Sequence, residues 1–597
     1  GDHRDLHSFP TRRSSDLERL LLWGLTAVYA IAAFVNLGDF RAPETVFALK
    51  DGQQAVVTLP EGSRPAAVWA YANICQGKLG VYAASEGTGT LAATVDLGYD
   101  HMFRWTVTGL EGETAERFSL KAFGDCKVNE IVFVDSAGNA IAPERVSFYD
   151  GTASVDAAEA QKAFDEQDKK PLRPSEQNGM YFDELYHART AYEHLHGLKP
   201  YENSHPPLGK VFIMAGIAVF GMTPFGWRFA GTLFGVFMLP ALYLLVRRVT
   251  KSPKWAFFAA ALLAVDFMHF TQTRIATIDV FVTFFIILMY YFMFRYYELD
   301  WNEVGLKRTL FPLGMAGVCF GLGAACKWTG IYAGMGLAVI LSIVLFRRVS
   351  ERRRALKAGD EAAISRTEGT AKNVVLTLAF CVGAYIVVPA AIYLLSYLPY
   401  FLCAESPYDL QGVWGVQEFM FNYHSKLTAT HPYESRWFTW PLSIRPIWYY
   451  QGKFLPEDVV ESIVAFGNPA VWWTGAFGLV TLIVQRARRT AWDSAAATFA
   501  LVGFAAQFVP WVLITRATFI YHYFPSVPFV ILALTLSLMA WEKRSALGAD
   551  AARLLRFVLP MAALALFIAF YPIIAGMEVP RWYASNLRWF PSWTFFI

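Results

Sequence analysis

The chain of 597 residues is 55% hydrophobic and 16% aromatic, with only 17% charged residues. That composition excludes an ordinary soluble enzyme of this length and leaves room for many windows of about 20 apolar residues, the length that spans a bilayer. Its 52 basic and 49 acidic side chains give a net charge of +3, so bulk charge gives no argument for a nucleic-acid partner, and the information lies in where the charges fall.

The opening stretch, GDHRDLHSFPTRRSSDL, is polar and reads as a translated sequencing-adaptor remnant; residues 1–17 are expected to be non-native, without structure or function. Residues 18–39 are expected as the first transmembrane helix, uncleaved despite a signal-peptidase-like Ala30-Ile31-Ala32. Over 40–170 the pattern changes to short alternating runs, among them AVVTLP, AAVWAYAN, GKLGVYAAS and NEIVFVD, separated by Gly, Asn and Asp. Period-2 alternation at this spacing predicts an inserted β-sandwich of jelly-roll type. Such a domain either binds carbohydrate, with Trp69, Tyr71 and Trp105 as stacking rings, or serves as a structural or protein-contact module. Cys75 and Cys126 lie inside it, either as one disulfide or as two free buried thiols. Cys319, Cys326, Cys381 and Cys403 read as small packed apolar residues. Residues 152–178 read as a polar linker.

The stretch Tyr181–Lys210, YFDELYHARTAYEHLHGLKPYENSHPPLGK, joins that linker to the hydrophobic part of the chain. Asp183 and Glu184 open a predicted amphipathic helix, with Phe182, Leu185, Tyr192 and Leu195 on its apolar stripe and Arg189, Glu193 and His196 off it. Two acids at a helix start either cap it and match its dipole or supply a carboxylate that takes a proton from a hydroxyl. Neighbouring side chains diverge on a helix, so one acid faces the reaction and the other supports it. His205-Pro206-Pro207 marks a turn into a helix, because the residue before proline leaves the α region and proline suits a first helical position. His187, His194, His196 and His205 match no closed zinc spacing.

Hydrophobic helices are then predicted near 227–246, 254–272, 275–296, 309–326, 329–347, 374–398, 467–486, 494–514, 519–541 and 556–576, about eleven with the first. Residues 208–222 are short for a crossing and are expected to be re-entrant or to lie on the surface. The basic clusters at 247–254, 295–308, 347–372, 486–489 and 543–556 then share one side, cytoplasmic by the positive-inside rule. This makes a multi-pass protein of the cell membrane with a cytoplasmic N-terminus. The β domain at 40–170, a catalytic outer loop with surface helices at 171–226, the outer loop 399–466 and the tail 577–597 face outward, and transmembrane helices fill 227–398 and 467–576. Arg228, Arg274, Lys327, Arg436 and Arg516 break the charge rule at the outer side. They either snorkel to headgroups or converge on an anionic lipid phosphate.

The acid pair, HPPLGK (205–210), the Trp227-Arg228 helix start, TQTRIATID (271–279), CKWTG (326–330 with its first Cys), HPYESRWFTWP (431–441) and FIYHYFPSVPF (519–529) occur in one order. Together they resemble the protein O-mannosyltransferase family, glycosyltransferase family 39, over nearly all of 180–540. The chain lacks the outer β-trefoil repeats of eukaryotic members and carries the β insert ahead of the acid pair.

The resemblance implies a polytopic helical GT-C fold and transfer of a sugar, expected to be mannose, from a polyprenyl- or dolichyl-phosphate carrier to a hydroxyl, expected to be protein Ser or Thr. It implies Asp183 as general base with Glu184 supporting, and Arg228, Arg274 and Lys327 on the carrier phosphate. His205, Lys210, Asp279, His431, Tyr433, Arg436, Tyr521 and His522 are the candidate substrate-binding residues, with Asp279 expected one turn inside a helix and paired with Arg274 or Lys327. Cations and a base suffice for this chemistry, so no metal or other cofactor is required, although a divalent ion is left open. The expected partners are the lipid-linked sugar, a protein or glycan acceptor and the bilayer, with no nucleic acid. A lipid or cell-wall glycan acceptor is the alternative, followed by a lipid-linked-sugar transporter, which calls for polar groups through the bilayer midplane.

Overall fold

The computed structural model describes residues 12–83, 89–111, 115–149, 154–155 and 157–596. The first helix runs Arg12–Phe34, so residues 12–17 are helical although the sequence suggests no structure for them; the rest of that opening segment lies outside the described residues. Among the described residues nine helices are long and apolar enough to cross a membrane, or ten if Pro253–Ala264 and Phe267–Thr273, bent by 60°, count as one span. The eleven expected from sequence also include Pro469–Ala487, 19 residues long. The bend has a local cause: Asp266 leaves the helical region and its carboxylate caps the second piece through His269 N at 3.1 Å.

Local signals set the other starts. Thr223 Oγ1 accepts from Gly226 N at 3.0 Å with Pro224 in first position, and Asn468 accepts from Ala470 N at 3.0 Å ahead of Pro469. Ile520–Arg544 is the central post, 94% buried along its most apolar window, whereas Glu361–Ser396 is 17% buried and lies at the rim. Leu208–Phe220 is a separate short helix of 13 residues packed on the start of Pro224–Thr250. At one end of the bundle, Arg247 pairs with Glu18, Arg248 and Lys251 with Glu298, and Arg348 with Asp300.

Two antiparallel sheets form the sandwich. One runs Phe47–Leu49, Cys126–Asp135, Pro65–Ala72, Trp105–Gly109, with Ala140–Ile141 beside Cys126–Asp135. The other runs Ser154–Val155, Arg145–Tyr149, Gln54–Thr58, Arg117–Phe123, Lys78–Ala83, Thr90–Asp96. Alternation sorts Pro65–Ala72 and Cys126–Asp135 of the first sheet between two cores. Val68, Ala70, Ile131 and Phe133 point into the sandwich, while Trp69, Tyr71, Val132 and Val134 join the core of the membrane body. Trp69, Tyr71 and Trp105 are therefore buried, and Trp69 lies under Lys170. They are not free to stack on a sugar. Their burial, worth on the order of 2–3 kcal/mol per ring, docks the sandwich on the membrane body. Cys75 and Cys126 are free buried thiols. The expected linker is in part structured, because Ala160, Ala163 and Phe164 complete the sandwich core.

Candidate active site

The helix Glu184–Leu195 begins at the second acid of the pair and packs between the sandwich, through Tyr192 on Phe103, and the helix Leu208–Phe220. Its expected polar face is only partly solvated: Arg189 and Glu193 are buried, as are Glu184 and His194, while His196 and, from the apolar stripe, Leu195 are exposed. Docking of the sandwich and of the segment near Tyr400 covers that face. The cost of burial is met by ion pairs, Arg189 with Glu193 at 2.8 Å and Arg228 with Glu184 at 2.7 Å.

Asp183 precedes this helix, yet its carboxylate makes no cap bond. The preceding residue, Phe182, has φ +49°, a conformation that costs a bulky side chain energy and persists only where the surroundings fix it. Its ring is held against Tyr449, with centroids 4.4 Å apart. The turn aims Asp183 into a cavity of about 450 Å³ that is also lined by Glu202, His205, Asp279, Lys327, Arg516 and Tyr521, with His187, His424, His431 and His522 on the same walls.

The acid pair diverges as side-chain geometry requires. Glu184 accepts both Arg228 Nε and an Nη of the same guanidinium, at 2.7 and 2.8 Å, and accepts Ala276 N at 3.1 Å. The remaining Arg228 protons go to the carbonyls of Leu37, Glu176 and Gly179 at 2.8–3.1 Å. All five guanidinium donors are used, and Arg228 is outside the cavity. Arg274 is also committed: it donates to the carbonyls of Ala33, Val35 and Asn36 at 3.0, 2.9 and 2.6 Å, satisfying the end of the first helix. The structure thus corrects the expected phosphate cluster. Of its three cations only Lys327 reaches the cavity, because backbone carbonyls and Glu184 take the other two.

Lys327 Nζ sits 2.7 Å from Asp279 Oδ1, the pairing expected for that acid, although Asp279 is the first residue of its helix and not one turn inside. Lys210 is consumed: its three protons go to Glu202 Oε2 at 2.6 Å, Glu202 O at 2.7 Å and His205 O at 3.1 Å. It supports the turn and does not line the cavity. His205 lines the cavity and bonds Glu202 at 3.3 Å. Burial lowers its pKa, lowers that of His187 to about 3 and that of His424 to about 4, so these rings are neutral near pH 7. His194 instead packs on Tyr400 and His196 on Tyr192, so the four histidines of the stretch do not converge.

With Lys327 neutralised by Asp279 and Lys210 by Glu202, two of the Asp, Glu, Lys and Arg side chains lining the cavity lack an ion-pair partner among the described residues: Asp183 and Arg516. Burial, reinforced by Asp279 and Glu202 against Lys327, raises the Asp183 pKa to about 7. Arg516 makes a single bond, to Ala517 O at 3.2 Å. Its place in sequence, against the charge rule, was the signal for it; His424, which bonds Ser204 O at 2.8 Å across the turn, carries no such signal. Tyr521 lies under Lys327 at 5.8 Å and His522 stacks on Trp440. Tyr433 and Arg436 line a second, outer cleft, and His431 lies at the cavity's mouth against Phe519.

Comparisons with known proteins point to one family. Two family models match, one described as dolichyl-phosphate-mannose-protein mannosyltransferase over residues 204–359 and one as the C-terminal four TMM region of protein-O-mannosyltransferase over 409–593. Together they take in more than half of the chain. A polyprenol-phosphate-mannose–protein mannosyltransferase of Mycobacterium tuberculosis is 27% identical over 69% of this chain and 86% of its own length. Its counterpart in Mycolicibacterium smegmatis is 27% identical over 70% and 89%. Among solved structures, the Saccharomyces cerevisiae protein O-mannosyltransferase Pmt1-Pmt2 complex bound to the sugar donor aligns with a TM-score of 0.56, at 15% identity, over 69% of this chain and 89% of that one. That likeness concerns the fold.

Proposed function

The chain belongs to the protein O-mannosyltransferase family, a bacterial-type member with the GT-C fold, and we propose from that premise how its cavity transfers mannose from polyprenyl phosphate to a protein hydroxyl. The observation that carries the reading is the pair of unpartnered groups on one wall, the carboxylate of Asp183 and the guanidinium of Arg516. The acceptor Ser or Thr gives its proton to Asp183 as its oxygen forms a bond to the anomeric carbon of the sugar. The bond from that carbon to the phosphate oxygen breaks, and its electron pair leaves with polyprenyl phosphate. Lys327 and Arg516 offset the charge that collects on that phosphate. Asp183 suits the base role because a pKa of about 7 balances ionisation at neutral pH against basicity. Glu184 acts at one remove, fixing the turn that aims Asp183 through Arg228. Fixed cations supply the electrostatic help, so the step as written needs no metal or other cofactor.

The cavity opens at the end of the bundle opposite the arginines that pair with Glu18 and Glu298. The positive-inside bias supports a cytoplasmic side for those arginines, and on that reading the cavity and the sandwich face outward from the cell membrane.

The reading is tested by reconstituting the protein in vesicles with polyprenyl-phosphate mannose and a Ser/Thr peptide. Mannosylated peptide is expected, with transfer lowered by about 10²–10⁴ in Asp183→Asn and donor binding retained. Full transfer by that variant overturns the base assignment. Mannose reaching only a glycan or lipid acceptor, with peptide untouched, overturns the protein acceptor.

A further inference from the structure

A cleft of about 930 Å³ lies beside the cavity, walled by the outer-loop residues 427–445, the turn 515–518 and the tail residues 591–594. Leu427, Ala429, Thr430, Arg516 and Ala517 line both spaces, so the two meet across one wall. We propose that this cleft is the acceptor's seat, and that it takes an extended polypeptide whose acidic side chains flank the hydroxyl to be modified. The proposal rests on the mannosyl-transfer reading above and names the kind of protein segment it would serve.

Charge sets the preference. Arg436 and Arg445 line the cleft, exposed, and their bonds go to neutral backbone carbonyls: Arg436 to Thr515 O at 3.5 Å and Arg445 to Pro432 O at 2.5 Å. Neither has a carboxylate partner among the described residues, and Glu434 is the acid in the lining. Two solvated cations on an outer loop run against the sorting bias and call for an anionic partner. The cleft mixes Arg, Thr and Ser with Leu427, Tyr433 and Ile444 beyond the ends of the spanning helices, a mixed lining that suits a polypeptide better than a bare polyprenyl tail. An acceptor lying there feeds one side chain through the shared wall toward Asp183, while its neighbours remain outside against Arg436 and Arg445. Partly exposed pairs of this kind act more on selectivity than on overall affinity.

The test uses the full-length protein in vesicles and two peptides with one Ser/Thr site, flanked by Asp/Glu in one and by Asn/Gln in the other. The wild type is expected to show a lower KM for the acidic peptide. The double variant Arg436→Gln with Arg445→Gln keeps long polar side chains at the carbonyls and removes both charges; it is expected to lose that advantage by about fivefold, with donor KM unchanged. A charge swap guards against a general defect: Arg436→Glu is expected to prefer Lys/Arg-flanked peptide over the acidic one. Equal KM for both peptides in the wild type, or an equal loss on both in the variants, overturns the proposal. A rise in donor KM instead assigns the cleft to the lipid phosphate and likewise overturns it. The underlying reading fails separately, through full activity of Asp183→Asn, which leaves the peptide contrast intact.

Discussion

The Lys327 ammonium is held 2.7 Å from Asp279 Oδ1, on the wall that carries the unpaired Asp183. The pair joins the break before the helix Thr329–Ala358 to the first turn of the helix Asp279–Glu298. Both side chains are about nine-tenths buried, so removing one partner leaves an uncompensated charge, at a cost of about 3–5 kcal/mol. Lys327→Ala is therefore expected to lower thermal stability strongly, and Lys327→Ala with Asp279→Ala to recover much of the loss. A double-mutant cycle by thermal unfolding in detergent checks this, and additive losses contradict the pairing. Lys327 also favours the ionised form of Asp183, so any residual activity of Lys327→Ala should need higher pH.

The pH dependence of transfer follows from Asp183. With a pKa of about 7 in the folded protein, the base is protonated below that value, and kcat/KM is expected to fall about tenfold per pH unit between 6 and 4. The stability effect has the opposite sense to that of a salt-bridged acid. Between the unfolded value of 3.8 and about 7 the folded state holds a proton that the unfolded state has released, so this group's contribution falls as pH rises through that window. Asp183→Asn is expected to be more stable than the wild type at pH 8, with the difference vanishing below pH 4. A melting series across pH reads this directly. A wild-type activity profile that is flat from pH 5 to 8 removes Asp183 as the titrating base.

Arg228 and Glu184 are expected to behave as architecture. The bidentate pair at 2.7 and 2.8 Å, with three carbonyls on the remaining donors, cannot be copied by lysine. Arg228→Lys is expected to lower the melting temperature and kcat together, because the turn that aims Asp183 loosens, while KM for the donor stays within about twofold. A selective rise in donor KM would return Arg228 to the phosphate site that the sequence suggested.

The charge rule found Arg228, Arg274, Lys327, Arg436 and Arg516 as cations out of place, and the structure puts Arg228, Arg274 and Lys327 near helix ends and Arg436 and Arg516 outside the helices. Sequence offers no means of telling which of them is consumed. Arg274 bonds carbonyls about 240 residues away, at Ala33, Val35 and Asn36, and no local pattern encodes that contact. The period-2 alternation revealed the sandwich, but not that one sheet is buried on both faces, with Trp69 and Tyr71 turned to the membrane body. The same docking buried Arg189 and Glu193, two of the residues expected off the apolar stripe, and left His196 exposed. On its residues alone Asp183 reads either as a cap or as a proton acceptor, and the role of base comes from the family resemblance; the missing cap bond and the φ of Phe182, which aim it into the cavity, were not legible.

Arg516 is the cation expected to meet the carrier phosphate. It lines the cavity, it has no carboxylate partner among the described residues, and its one bond is to a backbone carbonyl at 3.2 Å. Nothing in the fold rests on its charge, in contrast to Arg228. A guanidinium matches phosphate through paired N–H donors, and a bond to a charged group is worth about 1.5–3 kcal/mol, or roughly 10–100-fold in affinity. Arg516→Gln is expected to raise donor KM by that factor with an unchanged melting temperature. Inhibition by the product, polyprenyl phosphate, should weaken in parallel, since it carries the same group without the sugar. Arg516→Lys is expected to recover part of both, having the charge but not the fork. Steady-state kinetics with donor varied at saturating peptide, together with product inhibition, measure the two quantities. If donor KM rises while inhibition by polyprenyl phosphate is untouched, Arg516 contacts the sugar and not the phosphate.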